Sequence, residues 1–165
     1  MATTKVAKWF TDTMAFPSLT LPACDLTMRE AEGRTEVFDL VRKRYVALTP
    51  EEWVRQHVIH ALHRQTGYPL ELMQVEGAIT LNGMTRRCDI VVYSRSVKPV
   101  MIVECKKPEV SLSQKVIDQI CRYNLVLKVP YLYVTNGMQH IVCRVKSDGL
   151  EQMPCLPSWE DLERS

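Results

Sequence analysis

A chain of 165 residues, 46% hydrophobic and 24% charged, is long enough for one domain with a real core and has the balance of a soluble globular protein. Its net charge of +2 gives no whole-chain electrostatic argument for nucleic acid, and no apolar run approaches the ~20 residues of a membrane span. The six cysteines, at 24, 88, 105, 121, 143 and 155, form no CxxC pair and no zinc-type spacing. Cys88, Cys105, Cys121 and Cys143 sit inside apolar runs and read as buried thiols, which suits a reducing compartment. The N-terminus lacks a signal-peptide core, so a cytoplasmic location is expected.

Residues 1–34 are set apart as an arm. Val6 to Met14 fits a short helix, Pro17 and Pro22 bracket an irregular stretch, and Ala23 to Arg34 reads as partly helical until Gly33 stops it. The main domain is expected over 35–146, and Val37 to Leu48 holds one or two short strands. A helix start is written at Thr49-Pro50-Glu51-Glu52: a good N-cap, proline at the first helical position, and Glu52 to complete a capping box. That helix runs to about Thr66 and ends at Gly67, with Val54, Val58, Ala61 and Leu62 as its apolar stripe. Glu51 leans toward the stripe, and Glu52 leans with Arg55, Gln56 and Ile59. Both acids also suit plain capping and dipole complementarity. His57, His60 and His63 share the helix without an evident third ligand, so packing roles are favoured over metal binding.

Pro69 to Val75 reads as a transition into a strand, Ala78 to Leu81 as a strand, and Asn82-Gly83 as a type I′ turn. Glu76 is expected at an exposed strand end. Cys88 to Tyr93 and Val100 to Glu104 are β-rich segments flanking a polar loop, Ser94 to Pro99. Centring a hairpin on that loop makes facing residue numbers sum to 193, which sets Asp89 opposite Glu104. Side-chain alternation then puts Lys106 on the face of Glu104 and Cys105 on the other. Two facing carboxylates among aliphatic residues repel each other and resist desolvation, and a hard cation such as Mg²⁺ or Mn²⁺ relieves both costs. Lys106 stands where it could orient a water or neutralise charge on a phosphate. Arg86 and Arg87 precede Asp89, and Lys106 and Lys107 follow Glu104, where a phosphate would need them. The same letters also fit an ordinary edge hairpin with a solvated salt-bridge cluster.

A second helix is expected from Leu112 to Lys128, capped by Ser111 or Ser113, with Val116, Ile117, Ile120, Cys121 and Leu127 facing the core. Gln119 and Tyr123, four apart, share a face. Tyr131 to Thr135 and His140 to Val145 are strands about a TNG turn. The tail, 147–165, either packs on the domain or stays flexible, with a helical turn at Trp159 to Leu162.

Helix, three strands, helix, strand, strand makes an α/β fold with a central mixed sheet flanked by helices. At this point the chain resembles the PD-(D/E)xK nuclease superfamily, whose restriction-endonuclease-like core runs αβββαβ. More narrowly, LTPEEWVRQ, DIVVY, IVECKKP and QICRY, taken in this order, resemble the N-terminal domain of type I restriction enzyme R subunits and its small stand-alone relatives. The resemblance covers about Val37 to Val145. It implies that Asp89 and Glu104 are metal ligands, with the Cys105 backbone carbonyl as a third, and that Lys106 is the catalytic lysine. Gln119 with Tyr123 matches a QxxxY element, and Glu51 or Glu52 matches a helix glutamate, Glu51 being preferred for its facing. The implied activity is Mg²⁺- or Mn²⁺-dependent hydrolysis of DNA phosphodiester bonds, with Arg87, Lys107 and Tyr123 at the nucleic acid. Full R subunits carry a helicase motor, and no GxxxxGK[ST] loop is present in these residues. A helicase or specificity protein from another chain is therefore an expected partner, and a homodimer is compatible. The alternative is a non-catalytic nucleic-acid-binding or assembly module that keeps the nuclease fold.

Overall fold

The computed structural model describes residues 16–165; the helix expected over Val6–Met14 lies outside them. A three-stranded antiparallel sheet comes first: β1 (Met28–Ala31), β2 (Arg34–Asp39) and β3 (Arg44–Ala47). The strand β1 replaces the partly helical stretch expected before Gly33. Glu32 and Gly33 both adopt positive φ, 51° and 74°, and Ala31 pairs with Arg34. Gly33 thus serves a tight hairpin turn instead of ending a helix.

Helix α1 (Pro50–Arg64) starts as its sequence dictates: the Thr49 side chain accepts the Glu52 N–H at 3.1 Å and Pro50 opens the first turn. It stops at Arg64, and the chain turns through Gly67 at φ +77°, with the Tyr68 N–H returning to the Leu62 carbonyl at 3.0 Å. Val54, Val58, Ala61 and Leu62 are buried as expected. Arg55, Gln56, His57 and His60 are buried as well, so the helix is covered well beyond its apolar stripe.

The six-stranded sheet follows: β4 (Met73–Leu81), β5 (Met84–Tyr93), β6 (Pro99–Cys105), β7 (Tyr131–Thr135), β8 (His140–Lys146) and β9 (Gly149–Met153), in that spatial order. Only β6 and β7 are parallel, and α2 (Gln114–Leu127) makes the crossover between them. The Asn82-Gly83 turn has both φ values positive and closes on a Leu81–Met84 pair. β4 is longer than the expected Ala78–Leu81, so Glu76 falls in mid-strand, at φ 53°, and not at a strand end. β9 was not legible: it is a polar, mostly exposed edge strand without apolar alternation. In α2, Ser113 occupies the N-cap position without a side-chain bond.

Two cores face away from this sheet. On the α1 side, Val54, Val58 and Leu62 pack against Met101, Val103 and Tyr133. On the α2 side, Ile120, Cys121 and Leu127 pack against Ile102, Leu132 and Val134. The tail packs on the first core through α3 (Trp159–Glu163): Leu162 is fully buried, and the Tyr68 hydroxyl donates to the Pro157 carbonyl at 2.6 Å. Cys88, Cys105, Cys121 and Cys143 are buried free thiols. Among the described residues, no helix is long and apolar enough to cross a membrane. Truncating Leu162 to Ala should cost about 2–5 kcal/mol of unfolding free energy in a urea titration; an unchanged midpoint would mean that the tail is not part of the cooperative unit.

Candidate functional site

The β5–β6 hairpin opens into a fork at its inner end. Ile90 pairs with Val103, Val91 with Ile102 and Val92 with Met101, all on the constant of 193. A bulge at Val92/Tyr93 shifts the pairing next to the loop by one residue, so Tyr93 faces Pro99. Beyond Ile90–Val103 the paired residues end. Asp89 Oδ2 accepts the Cys105 backbone N–H at 2.7 Å, so a carboxylate plugs the fork. Its other oxygen accepts from Arg55 Nη2 at 2.9 Å.

Glu104, the residue facing Asp89 in this register, is 7% exposed and accepts from Arg86 Nη2 at 2.6 Å. Burial pushes its carboxyl up to about 7; the Arg86 charge opposes the rise, the Asp89 carboxylate adds to it, and Lys106 opposes it in turn. The two acids therefore sense each other directly. Lys106 lies just past β6, and its backbone N–H continues the parallel ladder to the Thr135 carbonyl at 2.8 Å. The Cys105 thiol is fully buried, and burial with Asp89 nearby holds it well above the usual thiol range, which leaves the backbone carbonyl as the donor that Cys105 can offer.

Of the two helix acids, the structure buries Glu52 and leaves Glu51 exposed over 44% of its side chain. The expected facing is reversed because α1 is covered on a second side. Glu52 does not close a capping box. Its carboxylate accepts from Arg42 Nη2 and Arg55 Nη1, both at 2.5 Å, and from Gln56 Nε2 at 2.9 Å. Arg55 also reaches Glu51 at 2.9 Å. Burial disfavours the Arg55 charge, but Glu52 and Asp89 outweigh that and raise its pKa. Arg42 continues the chain to Asp39 at 2.8 Å and Glu76 at 3.2 Å. Asp39 is fully buried, yet two backbone N–H groups, Gln56 and Arg42 hold its carboxyl low against the cost of desolvation.

Asp39, Arg42, Arg55 and Gln56 were missed as site residues. Arg55 and Gln56 had a signal, standing three and four residues after Glu52; Asp39 ends β2 and Arg42 lies in the turn to β3, and no spacing links them to the hairpin. Glu76 falls across from Asp89, between the Val75–Ile90 and Gly77–Cys88 pairs. Arg87 is exposed, with Glu76 at 3.7 Å, and Lys107 is exposed. Gln119 is also exposed and shares a cleft with Met84, Lys115 and Arg122, so it is not packed on the acids. The Tyr123 side chain lies outside the described residues. His57 and His63 donate to the Trp53 and Tyr68 carbonyls at 2.8 and 3.0 Å. Among the described residues, no three His, Cys, Asp or Glu side chains converge as a metal cluster.

The donors at the fork nevertheless suit a hard divalent ion: two carboxylates and a backbone carbonyl, the small set with which Mg²⁺ retains several waters. Burial is the main cause of the upward shift of Glu104, and the Asp89 carboxylate adds to it; a cation at the fork would offset both costs.

The sequence matches the family described as type I restriction enzyme R protein N terminus (HSDR_N) over residues 50–157, well over half of the chain. No curated protein sequence matches it. A fragment structure from Vibrio vulnificus YJ016, provisionally described as an HsdR subunit of a type I restriction enzyme, is similar at 18% identity and TM-score 0.54, over 71% of this chain and 25% of that one. The chain thus spans about a quarter of that protein's length, and the likeness is one of fold. A structure from Anabaena variabilis ATCC 29413, provisionally described as a nuclease of DUF820, aligns at 13% identity and TM-score 0.46, over 87% of this chain and 93% of that one.

Replacing Arg55 with Met should remove the counter-charge that Glu52 and Asp89 share and cost about 3 kcal/mol in chemical unfolding. The raised Glu104 pKa sets a second outcome. Between its ordinary value of 4.5 and about 7, the folded state holds the Glu104 proton more tightly than the unfolded state. Its contribution to stability is complete below that window and is lost as pH rises through about 7. Melting curves without divalent ions should therefore show this decline in wild type and not in Glu104→Gln.

Proposed function

The chain belongs to the type I restriction enzyme R protein N-terminal family, and on that premise we propose that it is a Mg²⁺-dependent nuclease that hydrolyses DNA phosphodiester bonds on a restriction-endonuclease-like core. The observation that carries this reading is the pair Asp89 and Glu104 at the hairpin fork, with Lys106 two residues beyond Glu104. Asp89, Glu104 and the Cys105 carbonyl would hold the ion, which would acidify a bound water and stabilise charge on the phosphate. Arg55, itself held by Glu51 and Glu52, fixes one Asp89 oxygen, and the Cys105 N–H fixes the other. That leaves the Asp89 carboxylate little freedom to rotate, the preorganisation that charge stabilisation needs. Lys106, anchored by the β7 ladder, would orient the water or meet the developing negative charge. Glu52 would act as a positioning residue through Arg55. Arg87 and Lys107 are exposed beside the fork, where they would contact the DNA backbone. ATP-driven movement or sequence readout would come from a helicase or specificity component.

A second reading has its own support. Arg55 and Arg86 already supply counter-charges to Asp89 and Glu104, so the fork is balanced without an ion. That would suit a nucleic-acid-binding or assembly module without catalysis. Incubation of plasmid DNA with protein and Mg²⁺ or Mn²⁺ decides between them. Lys106→Ala and Asp89→Asn should each slow cleavage by about 10²-fold or more, and Asp89→Asn should abolish Mn²⁺ binding in calorimetry. Identical products from wild type and Lys106→Ala would end the enzymatic reading.

A further inference from the structure

We propose that the cleft between the β4–β5 hairpin and α2 binds one strand of DNA through its phosphates and leads it to the fork; this rests on the nuclease reading. Lys115, Gln119 and Arg122 line the cleft from one stripe of α2, at i, i+4 and i+7, and Met84 forms the facing wall. Among the described residues, two cations and no carboxylate line it. Asp118, on the same helix, is engaged by Gln114 at 2.7 Å. Met84 and Arg86 alternate onto the same face of β5, and Arg86 bonds to Glu104. The positive stripe is thus continuous, by way of β5, with the acids. Asn82 at the hairpin tip donates to the Val126 carbonyl in the last turn of α2 at 2.8 Å, which ties the two walls together.

The volume is about 530 Å³. That lies in the range of roughly 300–1,000 Å³ that encloses a small ligand, the scale of one or two nucleotides and not of a duplex. The described lining supplies two cations and an amide, groups that suit phosphate contacts, so binding would be salt-sensitive.

The test uses the full chain in EDTA, so that binding is read without cleavage. A labelled single strand of about 20 nucleotides and the matching duplex are titrated by fluorescence anisotropy between about 50 and 200 mM salt. Lys115→Glu/Arg122→Glu should weaken single-strand binding by about tenfold or more. The neutral pair Lys115→Gln/Arg122→Gln should reduce the salt slope by about 1.4, two contacts at ~0.7 each. All four side chains involved in these pairs and in the control Lys43→Glu/Arg44→Glu are exposed, and the control pair, with the same charge change, should stay within about twofold of wild type. An unchanged affinity and slope, an equal loss in the control pair, or an equal loss of duplex binding would each overturn the assignment. The nuclease reading fails separately: if wild type binds through the cleft but never cuts with Mg²⁺ or Mn²⁺, the cleft stands and catalysis does not.

Discussion

Charge buried without compensation is the cost that this architecture is built around. Asp39, Glu52 and Glu104 are all nearly inaccessible to water. Each would be driven to protonate or to unfold its surroundings if left alone. Instead, Arg42 joins Asp39 to Glu52, Arg55 joins Glu52 to Asp89, and Arg86 meets Glu104. Planar guanidinium forks suit this work: Arg42 and Arg55 each bond three carboxylates at fixed angles, which an ammonium on a flexible stem does less well. The arrangement ties three separate parts of the chain together: the small N-terminal sheet, the first helix and the central hairpin.

The hairpin is where that network turns into a site. A regular ladder would have continued past Ile90 and Val103, and Asp89 would then have been one more strand residue. Because its carboxylate takes the Cys105 N–H, the strands part with no backbone donor left unsatisfied at that point. The opening has an acid on each side and an amine just beyond it. Burial, before any neighbouring charge, dominates the upward shift of Glu104.

How much of this was legible follows from the range of the interactions. The register of the β5–β6 hairpin follows from alternation and loop symmetry, both local; the constant of 193 holds from Ile90–Val103 to Val92–Met101 even though a bulge, invisible in the letters, sits next to the loop, and the ladder ends before Asp89 and Glu104. The cap at Thr49, the Asn82-Gly83 turn and the core faces of both helices were likewise local patterns. The expected facing of Glu51 toward the buried side is reversed for a long-range reason. Helical spacing identified the apolar stripe, but not that Asp39 and Arg42 would close over the other side of α1. Similarly, β1 was taken for helix because Gly33 suits either a helix end or a hairpin turn, and only pairing with β2 distinguishes them. The exposed β9 had no core to write a period into its sequence.

The single parallel junction of the sheet has a consequence for how the protein assembles. Lys106 takes its place by continuing the β6 ladder onto β7, and those strands are separated by residues 106–130, which include all of α2. Antiparallel neighbours can zip from a tight turn, whereas this contact must wait for a long loop to close. The acids on the hairpin can thus come together early, while the amine is locked beside them only once the crossover docks. A nascent chain would carry an incomplete charge constellation until that crossover closes.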